Sequence, residues 1–230
     1  MATIDVIAAI VLTAVAFLAP GSLILASRTS AAVQRRTGLI LLLWFAAVGT
    51  LAALGVFSPH GVGTPAVGAL VATTIIAGVI AFNASATVRA LVTGAPLSHL
   101  VAVNLGRMLG AFFLVLYATG RLPETFAESA GGGDILVAAT ALPVAWAVHR
   151  RIAGWRPIVL TWNALALLDL IVAVAIGVGS AADSPFRFIF ESPDTSTMAS
   201  LPWFLIPGFL VPFYVLTHLA IFYRLAREQK

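Results

Sequence analysis

The sequence predicts an all-α protein, a single-domain integral membrane bundle of seven transmembrane helices. Its amino terminus is expected outside and its carboxyl terminus in the cytoplasm. Two observations carry the class. Of 230 residues, 60% are apolar and only 10% charged, whereas a soluble domain carries about 25% charged residues. The apolar residues also fall in long unbroken blocks, and about 20 such residues in helix cross a hydrocarbon core of roughly 30 Å. The mean hydropathy of +1.04 agrees. A membrane β-barrel would instead need alternating segments of about ten residues. Nine acidic and thirteen basic side chains cannot cover a water-soluble globule. The basic balance is therefore not a nucleic-acid signature, and the expected surroundings are a lipid bilayer. With no cysteine in the chain, disulfides, thiolate catalysis and iron–sulfur clusters are excluded.

Residues 3–27 form the first block; its leader lacks positive charge and its apolar run is too long for a cleaved signal peptide. Pro20–Gly21 predicts a kink in it. Residues 39–57 follow a basic loop, and residues 65–83 open on Pro65. Residues 97–119 carry Asn104, Arg107 and the small-residue pair Gly106 and Gly110, which lets another backbone approach. In residues 127–148 the apolar run is short, so the block spans only if Gly131–Gly133 and Asp134 lie inside the membrane. Residues 157–179 hold Asn163 and Asp169. Residues 201–223 hold Tyr214, His218 and three prolines, Pro202, Pro207 and Pro212. The last two free carbonyls that can kink the span or face a cavity.

Orientation follows from the basic residues. Arg28, Arg35, Arg36, Arg89, Arg150, Arg151, Arg156, Arg224, Arg227 and Lys230 fall on one side. Arg121 and Arg187 face them from the other, among Asp5, Glu124, Glu128, Asp183, Glu191 and Asp194. Short basic loops stay in the cytoplasm, which implies a bacterial-type inner, or plasma, membrane crossed seven times. Tyr117 and Trp203 are expected at the outer boundary, and Trp44, Trp155 and Tyr223 at the inner one. The segment 180–200 is the longest connector, and Phe186, Phe188 and Phe190 alternating with Arg187 suit a stretch lying on the headgroup layer.

An ionisable side chain at mid-bilayer costs roughly 2.5–3.5 kcal/mol on insertion scales, so Arg107, Asp134 and Asp169 are functional candidates by default. At a rise of about 1.5 Å per residue, Arg107 and Asp169 sit roughly 15–18 Å from the cytoplasmic ends of their spans. Asn104, Asn163 and His218 lie about 9–10 Å in from that face, and Asp134 a similar depth from the opposite one. An Arg107–Asp169 ion pair is expected at mid-depth, with Asp134 within reach and an amide–imidazole layer beneath. Asn104 and Arg107 share a helical face, as do Tyr214 and His218. Asn163 and Asp169 point apart, about 240° around the helix.

The sole lysine is Lys230, outside any span, so no retinal Schiff base forms within the bundle. His99, His149 and His218 lie on the cytoplasmic half without paired spacing, so no metal ligands are assigned and the cofactor stays unknown. The run Gly131-Gly132-Gly133-Asp134 resembles the Gly-x-Gly-Asp signature of intramembrane aspartyl proteases, the presenilin and prepilin-peptidase groups. That resemblance implies a water-activating pair made by Asp134 and Asp169. In those families, however, the partner aspartate precedes the motif, whereas Asp169 follows it.

The expected function is binding or translocation (transport) of a small polar or amphiphilic molecule, or a proton. The site comprises Arg107, Asp134 and Asp169, with Asn104, Asn163, Tyr214 and His218. Two alternatives stand beside it. One is an intramembrane enzyme using Asp134 and Asp169. The other is an accessory subunit packed against a partner membrane chain or a second copy.

Overall fold

The computed structural model describes residues 3–227; Lys230 and the first two residues of the leader lie outside the described residues. Within them the chain is helical and no strand occurs. Seven helices are long and apolar enough to cross a membrane: α1 (Thr3–Ala26), α2 (Ala31–Ala53), α3 (Thr64–Ala84), α5 (Leu97–Ala118), α6 (Glu124–Arg150), α7 (Trp155–Ser180) and α8 (Ile206–Arg227). A short α4 (Ala86–Gly94) occupies the connection between α3 and α5, where the sequence predicts a loop.

Helix limits move for local reasons. The second helix runs over 31–53 rather than 39–57. Ser30 caps it by accepting from the Val33 amide, which draws Gln34, Arg35 and Arg36 into its first turns. At its other end the chain turns through Gly55 and Gly63, both at positive φ. The apolar residues beyond Ala53 serve loop packing instead; Phe57 stacks on Phe204 at a centroid distance of 4.1 Å. The last helix begins at Ile206 rather than residue 201, with Pro207 in its first turn, where a missing amide hydrogen costs least. Trp203 is fully buried. It sits at the acidic end but packs inside the bundle: its indole donates to Asp5 at 3.0 Å and the Arg121 guanidinium lies over its ring. α6 is continuous from Glu124 through the three glycines and Asp134 to Arg150.

Connections alternate between the two ends of the bundle, and side chains tie each end. At the acidic end Arg121 pairs with Asp5 at 2.8 Å, and Asp183 accepts from the Thr64 amide and hydroxyl at the start of α3, both at 2.7 Å. Glu191 does the same for Thr125 at the start of α6. Carboxylates at helix N-termini satisfy orphan amides and complement the dipole. At the basic end Arg224 donates to the carbonyls of Thr93 and Ala95, and Arg156 to that of Leu225. Phe186, Phe188 and Phe190 are all exposed at the acidic end, including Phe188, which also covers Gly179.

The core gathers Leu12, Phe113, Leu116, Phe126, Phe209 and Tyr214 around Trp203. Small residues bring the backbones close. A β-carbon on Gly131 of α6 would sit 2.9 Å from the Gly110 carbonyl of α5, so this crossing tolerates no larger side chain. α3 buries none of its side chains. It leans on α8, where Gly78 lies against Leu216.

Candidate functional site

Arg107 sits in a stretch of α5, Val103–Gly110, that tightens to 3₁₀ geometry. With three residues per turn, side chains three apart eclipse, so Asn104, Arg107 and Gly110 fall in line on one face. Gly110 at the end of that line admits α6, and the Arg107 side chain, 1% exposed, crosses to both neighbouring helices. Its Nε donates to Asp134 Oδ1 of α6 at 2.6 Å. Its Nη1 donates to the Ala166 carbonyl of α7 at 2.9 Å, and its Nη2 to Asp169 Oδ2. The two carboxylates are 14% and 20% exposed. Gly133 completes the junction: a β-carbon there would collide with the Asp169 carboxylate.

The three charged candidates are thus one cluster, and each of the three guanidinium nitrogens donates to a protein acceptor. The amide–imidazole layer is divided. Asn163 and His218 form a pair: Asn163 Nδ2 donates to the His218 carbonyl at 3.1 Å, and the imidazole Nδ1 lies 2.8 Å from Asn163 Oδ1, while the buried Nε2 has no hydrogen-bond partner. Because that amide oxygen can only accept, Nδ1 is the protonated nitrogen. Asn104 does not join them by a hydrogen bond; its amide bonds back to the carbonyls of Leu100 and Val101 in its own preceding turn. This local choice is common for asparagine in helices. Tyr214 is 3% exposed, and its hydroxyl, without a hydrogen-bond partner, lies against Gly106.

Beside the cluster lies a feature without a signal in the residue pattern. A cleft of about 380 Å³ runs between α3 and α7, joined by the start of α8, from Asp183, Thr195 and Ser196 at the acidic end to Asp134 at its floor. Its walls are apolar: Val67, Val71 and Ile75 from α3, and Leu170, Val174 and Val178 from α7. Such side chains look the same in sequence whether they face lipid or a cavity. A smaller void of about 20 Å³, bounded by Arg107, Asp134 and Tyr214, adjoins the floor and shares Phe113, Leu170, Ile206 and Val211 with the cleft. The first turn of α8, Ile206–Leu210, is wound as a π-helix, so it and the 3₁₀ stretch of α5 both border this site.

The carboxylates do not resemble a water-activating dyad, in which two acids face each other and share a proton. Here each accepts a different N–H of one interposed guanidinium.

Residues 64–226 match the family described as Domain of unknown function (DUF8737), a stretch that holds the whole Arg107 cluster. No curated protein and no solved structure matches the chain.

Proposed function

The chain belongs to that family, and we propose that it is a multi-pass inner-membrane protein that binds or translocates a small amphiphilic molecule at the Asp134 end of the cleft. The observation that carries this reading is a drug-sized apolar cleft ending on a single buried polar cluster. Pockets of roughly 300–1,000 Å³, apolar with a few placed polar groups, are the usual form of small-molecule sites. In this reading the basic end lies in the cytoplasm and the cleft opens toward the outer face. Asp134 holds or passes the polar end of the ligand, while Arg107 ties it to Asp169.

The test uses a probe that depends only on the cleft. Decanol added to the protein in lipid nanodiscs is expected to raise its Tm, and Ala173→Phe, which fills the cleft from α7, is expected to remove that response while the protein still inserts. Equal responses in both proteins, or none in the natural chain, would sink the reading.

The accessory-subunit reading draws support from α3, which buries no side chain, and α2, which buries only Val48 and Ala52. Cross-linking from exposed positions of these two helices to a second membrane chain would favour it.

A further inference from the structure

We propose that the cleft selects a monocationic amphiphile, with an ammonium head against Asp134 and a hydrocarbon body along the α3 and α7 walls. This names the ligand chemistry of the site proposed above and rests on that reading.

Charge is the first ground. One guanidinium faces two carboxylates, which leaves one negative charge over when both acids are ionised. The charged side chains lining the cleft are Asp134 at the floor and Asp183 at the mouth, both acidic. An uncompensated charge in a low-dielectric interior is costly, and a ligand cation is one means of compensating it.

Availability is the second. Arg107 has the sign to hold an anionic head, but it does not line the cleft, and its Nε, Nη1 and Nη2 are already turned to Asp134, Ala166 and Asp169. Asp134 is the group turned to the cleft. Its Oδ1 takes the guanidinium, and a carboxylate offers roughly four lone-pair positions, so Oδ2 can accept from an ammonium. An incoming carboxylate or phosphate would meet like charge instead. The Tyr214 hydroxyl is buried and unpartnered, and Tyr214 lines the small void that adjoins the floor.

The experiment compares three probes that share one body: decylamine, decanol and decanoate, titrated onto the full chain in nanodiscs of zwitterionic lipid near neutral pH. Binding is read by thermal shift and by intrinsic tryptophan fluorescence. The amine is expected to bind about tenfold more tightly than the alcohol, the scale of one charge-assisted hydrogen bond, and decanoate more weakly than either. Asp134→Asn is expected to bring the amine-to-alcohol binding ratio close to one. Equal binding of amine and alcohol to the natural chain overturns the charge selection but leaves the cleft reading standing. A preference for decanoate overturns it in favour of an Arg107 anchor. Failure of all three probes removes the cleft reading itself. The ranking on the natural chain decides the matter even where Asp134→Asn does not fold.

Discussion

Arg107 is held by acceptors from two helices, and removing it leaves two carboxylates facing each other without a cation. Arg107→Gln is therefore expected to destabilise the protein by about 3–5 kcal/mol, measured by unfolding in nanodiscs. Arg107→Lys is expected to recover only part of that, because one ammonium cannot reproduce the planar fork that reaches Asp134, Ala166 and Asp169 together. A silent Arg107→Gln would show that the cluster stores no coupling. At the acidic end, partial burial pushes the Asp194 carboxyl up, but hydrogen bonds from Ser196 and from the Ala182 amide, with Arg187 nearby, outweigh it and hold it below the usual carboxylate range. A lowered folded-state value means that its contribution is present above the ordinary carboxylate pKa. It is lost as pH falls through the lowered one. Asp194→Asn is expected to flatten the acid limb of Tm against pH, and an unchanged limb would remove Asp194 from the account. The charged members of the cluster were legible because ionisable residues inside apolar blocks are conspicuous. The Ala166 carbonyl was not, since every residue carries one. The local bonding of Asn104 was invisible for a related reason: its alternative partner is its own helix.

At the scale of elements, the close crossing of α5 and α6 depends on Gly110 and Gly131, each of which faces the other's carbonyl oxygen. Gly131→Val is expected to cost about 1–3 kcal/mol through overpacking, seen as a lower Tm in nanodiscs. Gly132→Val next to it, where a β-carbon meets no other atom within 4 Å, is expected to change little; equal losses would mean that helix propensity, not the crossing, sets the effect. The close approach at Gly110 was readable from its spacing with Gly106. The 3₁₀ winding of Val103–Gly110 was not, because nothing in the residue pattern of this stretch distinguishes it from α-helix. The limits of α2 and α8 shifted where apolar residues serve loop contacts, as Phe57 and Trp203 do. Hydropathy counts such residues as span.

For the whole molecule, alternation of the loops between two ends makes a topology that single cysteines can test, since the chain has no cysteine of its own. In intact cells His60→Cys is expected to react with an impermeant maleimide, and Ala32→Cys only after permeabilisation; the reverse pattern would invert the orientation. The sequence by itself determined the helical class, the number of long apolar helices and the identity of the charged residues among them. Each of these depends on local composition and on the cost of polar groups in hydrocarbon. Only the tertiary structure decided that one guanidinium joins both carboxylates, that Asn104 stands apart from the Asn163–His218 pair, and that α3 and α7 bound a cleft. Those outcomes depend on which faces meet across helices far apart in the chain, and an apolar face reads alike in sequence whether it meets lipid, protein or an open space.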